Sequence, residues 1–242
     1  MSFIKKIFKS GENKSFVSGL EKIIGFRPKK LNYYQRALTH PSKNLRDENG
    51  NAFSYERLEY LGDAVLSTII AQHLYITVPN ADEGYLTKMR SKIVSRDHLN
   101  KIGKGLKLLS LMRSNIKHSK LSENTHGNLL ESLIGAVFLD KGFKGCNEFV
   151  YNKIINPHVN ISLLEGKIIS YKSLIIEWCQ KEKKEFFFSC NEDEGAEELK
   201  HFSASLKIDG VEMAKARATS RKKAEEKASQ RSYFALQDKV QF

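Results

Sequence analysis

The chain has 242 residues, 40 Lys and Arg against 28 Asp and Glu, and a net charge of +12. At 40% hydrophobic and 28% charged residues it reads as soluble and globular, long enough for one large or two ordinary domains. No apolar run approaches the roughly 18 residues of a membrane helix, and MSFIKKIFKS lacks the apolar stretch of a secretory signal. Cys146, Cys179 and Cys190 follow no metal-type spacing and fit free thiols in a reducing cytoplasm. The cation surplus suits a polyanionic partner and no membrane.

FIKKIF reads as a frayed or packed N-terminal extension. Helical patterns follow over 16–24 and 33–38, with Pro28 between them. After ALTHPS, the polar run 43–54 carries Asn-Gly and marks a loop. Residues 55–75 then place Leu58, Leu61, Val65, Ile69 and Leu74 at helical spacings, predicting a buried helix. Glu56, Glu59 and Asp63 fall on one face of it, with Cβ atoms about 5–6 Å apart on adjoining turns. A shared divalent cation and a solvated acidic edge paired with Arg57 both fit this spacing. Gly62 beside Asp63 calls for close packing, because glycine costs about 1 kcal/mol in a helix interior.

PNADEG (79–84) predicts a turn leading into one helix over 85–106, with Asp82 and Glu83 suiting its dipole. Lys88, Arg90, Lys92, Arg96, Lys101 and Lys104 make a basic surface on that helix, some of it for phosphates. The polar stretch 113–126 holds His118 and His126 as solvated loop residues. A second apolar helix over 127–140 carries Asn128 and Glu131 on one face, and a further helix is expected over 143–155. Two such helices can cross so that their oxygens converge. Oxygen-only ligation favours Mg²⁺, or Mn²⁺ as a substitute, and such an ion suits phosphodiester hydrolysis.

ERLEYLGDAVL resembles the signature of the ribonuclease III family, endonucleases that cut double-stranded RNA, and the whole chain is similar to that family's bacterial layout. The resemblance implies a homodimer with one metal cluster per subunit and no small-molecule cofactor. It implies 5′-phosphate and 3′-hydroxyl ends, and ribosomal RNA precursors and structured messages as substrates. Glu59, Asp63 and Glu131 fall on metal-binding positions, with Asp63 and Glu131 catalytic. Asn128 stands where the family's fourth ligand is usually Asp. Its carbonyl can still meet a metal, but the site loses one negative charge. The alternative is a weakened or inactive protein that binds duplex RNA, or a ribosome-associated structural protein on the same scaffold. Glu56 falls on a position for substrate handling or dimer contacts. Glu83 falls near the cleavage site or serves only as a capping acid.

Beyond Pro157 the periodicity changes. A helix over 170–183 precedes three strands, with Asp209-Gly210 as a tight turn, and a final basic helix opens with SRKKAEEKAS. This α-β-β-β-α order resembles the double-stranded RNA binding domain. Arg221, Lys222 and Lys223 gather at a helix N-terminus, where they oppose the dipole unless an anion compensates. Glu177 falls where the family contacts a minor groove. The acidic loop NEDEGAEELKHF lacks the usual Gly-Pro-x-His pattern and is not expected to make its contact. The first 168 residues carry 26 basic and 15 acidic residues, the remainder 14 and 13, so the charge surplus lies in the first part. The expected architecture is an all-α endonuclease domain over 1–160, a linker over 161–168 and an α+β RNA-binding domain over 169–242.

Overall fold

The computed structural model describes residues 10–165, 170–193 and 201–236. The chain divides into two units, Met1–Glu165 and Gly166–Phe242. The first is built from helices α1 (Ser10–Ile24), α2 (Leu31–Ala37), α3 (Glu56–Thr77), α4 (Glu83–Ile93), α5 (Arg96–Gly105), α6 (Thr125–Val150) and α7 (Ile161–Glu165). Its centre is the crossing of α3 and α6. Leu58, Leu66, Ile69, Ile70 and Leu74 of α3 are buried with Leu129, Leu130, Leu133, Ile134 and Val137 of α6. At this crossing the two backbones touch. A Cβ on Gly62 would lie 1.7 Å from the Glu131 carbonyl oxygen, and one on Gly135 would lie 2.4 Å from that of Leu58. The close-packing role expected of Gly62 is thus met.

The structure corrects several local expectations. The single helix over 85–106 is two, because the chain breaks at Val94 and Ser95. Ser95 takes an extended conformation (φ −61°, ψ 144°), and its Oγ donates to the Lys92 carbonyl. On one straight helix Met89 and Ile93 would face roughly 130° away from Leu99 and Ile102. The break lets all four enter the same core. Lys92 leaves the expected basic surface: it is buried, and its Nζ donates to the Leu164 and Glu165 carbonyls, both at 2.8 Å. Residues 161–165, placed in the linker by sequence, are α7, with Leu164 buried against the first unit's core.

The helices expected over 127–140 and 143–155 are the two arms of α6, which meet at a kink where Gly142 leaves helical geometry (φ 69°, ψ −176°); a π-helical turn, Tyr151–Ile155, follows the second arm. A positive φ at this junction suits glycine. His126 is not a solvated loop residue either; it lies half-buried in the first turn of α6.

The second unit runs α8 (Tyr171–Lys181), β1 (Phe186–Asp193), β2 (His201–Ile208), β3 (Val211–Ala218) and α9 (Arg221–Leu236). The antiparallel sheet has the order β1-β2-β3, with Phe186 opposite Ile208 and Phe202 opposite Ala218. Asp209 (φ 50°) and Gly210 (φ 77°) make the tight turn expected of that dipeptide. Ile175, Cys179, Leu206, Ile208 and Leu236 form its core. Glu226 of α9 accepts from the Tyr171 N–H at 2.6 Å and from Ser170 Oγ at 2.8 Å, which ties the start of α8 to α9. The all-α unit followed by an α-β-β-β-α unit is the architecture predicted. Most of the acidic β1–β2 loop, the FIKKIF extension and residues 166–169 lie outside the described residues.

Candidate active site

The α3–α6 crossing that glycine permits also brings the acids together. Glu56, Glu59 and Asp63 of α3 and Glu131 of α6 line one open cavity of about 650 Å³, with Tyr60, Val94 and Arg96. Glu56 accepts from Ser54 Oγ at 2.9 Å. Burial pushes the Glu131 carboxyl up to about 7; Arg96 opposes the shift and the Asp63 and Glu59 charges add to it. Glu59 is raised by burial as well, again opposed by Arg96 and reinforced by Glu56 and Asp63. The site is therefore crowded with negative charge in a place that disfavours it.

Asn128 does not line the cavity in the way expected of a fourth ligand. Its Oδ1 accepts from Arg96 Nη1 at 2.5 Å, and its side chain opposes the upward push that burial gives the nearby Tyr55 hydroxyl. Arg96 stands 3.8 Å from Glu131 Oε2 as well. Among the described residues no three His, Cys, Asp or Glu side chains form a ready-made metal cage. The donor set nevertheless fits a hard dication: all-oxygen, carboxylate-rich, and carrying raised carboxyls that such an ion would relieve.

Arg96, Tyr60 and Tyr55 escaped sequence reasoning as parts of this site. Arg96 was legible only as one of six cations on a supposed single helix. Its aim at the acids depends on the break at Ser95.

Glu83 lies elsewhere. It borders a separate groove of about 350 Å³ with Tyr75, Leu86 and Arg90, and its Oε1 accepts from Thr87 Oγ1 at 2.8 Å. The capping acid of α4 is Asp82, whose Oδ1 accepts from the Tyr85 N–H at 2.7 Å. In the second unit Arg221, Lys222 and Lys223 are all exposed at the start of α9. Ser220 Oγ accepts from the Lys223 N–H at 3.3 Å, and the Arg221 guanidinium lies 5.9 Å from the Phe202 ring centre. Glu177 is exposed on α8.

The model of the ribonuclease-III-like family matches residues 30–158, and that of the double-stranded RNA binding motif matches residues 171–233. Ribonuclease 3 of Zunongwangia profunda is 57% identical over 99% of this chain and 100% of its own length. That of Flavobacterium psychrophilum is 56% identical over 99% of each. The chain belongs to the ribonuclease III family. It is accordingly a metal-dependent endonuclease of double-stranded RNA. The nuclease domain of Campylobacter jejuni ribonuclease III superposes with a TM-score of 0.52 at 27% identity, covering 59% of this chain and 98% of that one. That nuclease domain thus shares its fold with part of this chain.

Proposed function

We propose that Glu59, Asp63 and Glu131 hold Mg²⁺, with Mn²⁺ as a substitute, and that Asp63 and Glu131 are the residues closest to the chemistry. The observation that carries this reading is the cavity into which carboxylates of two helices open, with Glu131 raised to about 7. When bound, the ion would polarise a phosphoryl oxygen and activate water for hydrolysis to 5′-phosphate and 3′-hydroxyl ends. The protein's own part is to hold the carboxylates on two helices whose backbones touch, so that their spacing is set by packing. Glu56, fixed by Ser54 at the cavity rim, handles substrate. Glu83 takes the same role only from a different surface of the unit.

In the second unit, Arg221, Lys222 and Lys223 grip backbone phosphates at the start of α9, and Glu177 meets a minor groove. Recognition then follows duplex shape and 2′-hydroxyls over sequence. Ribosomal RNA precursors and structured messages in the cytoplasm are the substrates this implies; no helix among the described residues is long and apolar enough to cross a membrane. A homodimer accounts for the large side chains exposed along α3, Tyr60 at 81%, Tyr75 at 74% and Ile76 at 64%. The Campylobacter jejuni nuclease domain has a structurally flexible region involved in its dimer formation.

The test is a long RNA duplex incubated with the full chain over a Mg²⁺ titration, beside Glu131→Ala. Metal-dependent cleavage to short duplexes, lost in the variant, is the expected result. Cleavage that persists in Glu131→Ala, or that needs no divalent ion, sinks the site assignment.

A further inference from the structure

Arg96 is the only cation lining the acid cavity among the described residues. The break at Ser95 makes it the first residue of α5, so its side chain leaves a helix start beside the α3–α6 crossing. Its Nη1 donates to Asn128 Oδ1 and lies 3.8 Å from Glu131 Oε2. A guanidinium presents several donors in a fixed fork, so one side chain can serve both acceptors.

Asparagine here does two things that aspartate would not do together. It accepts from Arg96 as a neutral group, and it leaves the cavity's net charge to the four carboxylates. A guanidinium and a divalent ion drawn to the same carboxylates repel one another. From this arrangement we infer that Arg96 competes with the divalent cation for the acid site and that Asn128 is the residue that seats it. The inference rests on the metal reading above. It adds that cation entry requires Arg96 to leave Glu131 and that the seat, not a fourth ligand, is the use of Asn128. Half of the Arg96 side chain is exposed, so an outward swing has open solvent to enter.

The experiment measures Mn²⁺ binding to the full chain by electron paramagnetic resonance, with Tm recorded at each ion concentration. In Arg96→Gln the Mn²⁺ Kd is expected to tighten about tenfold, the scale of one charge-assisted hydrogen bond plus a screened ion pair. Its Tm without the ion should fall, and the rise on adding Mn²⁺ should exceed that of the unaltered chain. Asn128→Ala removes the seat and leaves both charges, and should tighten Mn²⁺ binding by a smaller factor. Unchanged or weaker binding in Arg96→Gln overturns the inference. Weaker binding in Asn128→Ala overturns the seat and makes Asn128 a ligand. If the unaltered chain binds no Mn²⁺ at all, the metal reading falls and the competition falls with it. If it binds Mn²⁺ and the variants match it, only the competition falls.

Discussion

At Gly62 a hydrogen in place of a methyl group decides whether the acids meet. A Cβ there would overlap the Glu131 carbonyl oxygen, so Gly62→Ala must push α3 away from α6. Overpacking of this kind costs about 1–3 kcal/mol or more. The urea midpoint is expected to fall accordingly, and Mg²⁺-dependent cleavage should fall more steeply than stability, because the same shift separates Asp63 from Glu131. A variant that retains both would show that the crossing is not tight.

Glu131 sets a pH dependence of its own. Its folded value is raised from the ordinary 4.5 to about 7, so within that window the folded chain keeps a proton that the unfolded chain has released. Stability therefore falls as pH rises from 4.5 towards 7 and levels off above, by at most roughly 3 kcal/mol. Glu59, raised in the same direction, adds to the slope. In urea titrations without divalent ions, Glu131→Gln should lose less stability between pH 5 and pH 8 than the unaltered chain. Equal losses would place the titration elsewhere.

Among the elements, α4 and α5 show how far periodicity carries. Both are legible as helical, since apolar residues recur at three- and four-residue intervals over 86–93 and again over 99–106. The break shows only as a slip in that period between Ile93 and Leu99, since Ser95 is acceptable within a helix; the shared core is what brings the two apolar faces together. Lys92 illustrates the same limit. By sequence it is one more surface cation, yet its ammonium closes the C-terminal end of α7 by donating to two carbonyls. Tyr85 of α4 adds a hydrogen bond to Glu165 Oε1 at 2.6 Å. Lys92→Met keeps the apolar stem and removes the donors, leaving those carbonyls short of partners, a change of about 1–3 kcal/mol. Hydrogen exchange at the Leu164 amide should accelerate, with little change in α3 and α6. Unchanged protection there would mean that the apolar contact of Leu164 holds α7 alone.

On the scale of the whole molecule, charge is divided unequally. Nearly all of the +12 belongs to the first 168 residues, so most of the counterion release on binding RNA arises outside the RNA-binding motif. The isolated second unit is expected to bind duplex RNA weakly, with Kd above about 1 µM at 150 mM salt, while the full chain shows the steeper salt dependence. Submicromolar binding by that unit at this salt would contradict the division. Arg221→Ala with Lys222→Ala should weaken it further on all duplex sequences alike, since phosphate contacts carry no sequence information.

What the sequence determined by itself was the class of each unit and most of its chemistry. Apolar spacing marked α3 and α6, alternation and Asp209-Gly210 marked the sheet, and the order of acids and glycine in ERLEYLGDAVL carried the family. These are local patterns, and local patterns persist into the fold. What the tertiary structure decided were the relations between elements: the contact of Gly62 with the backbone of α6, the bend at Ser95, and the burial of Lys92. The departure at Asn128 was visible in sequence as a missing charge. That its oxygen faces Arg96 depends on where three helices meet, and no spacing along one chain encodes the distance between side chains that distant parts of it bring together.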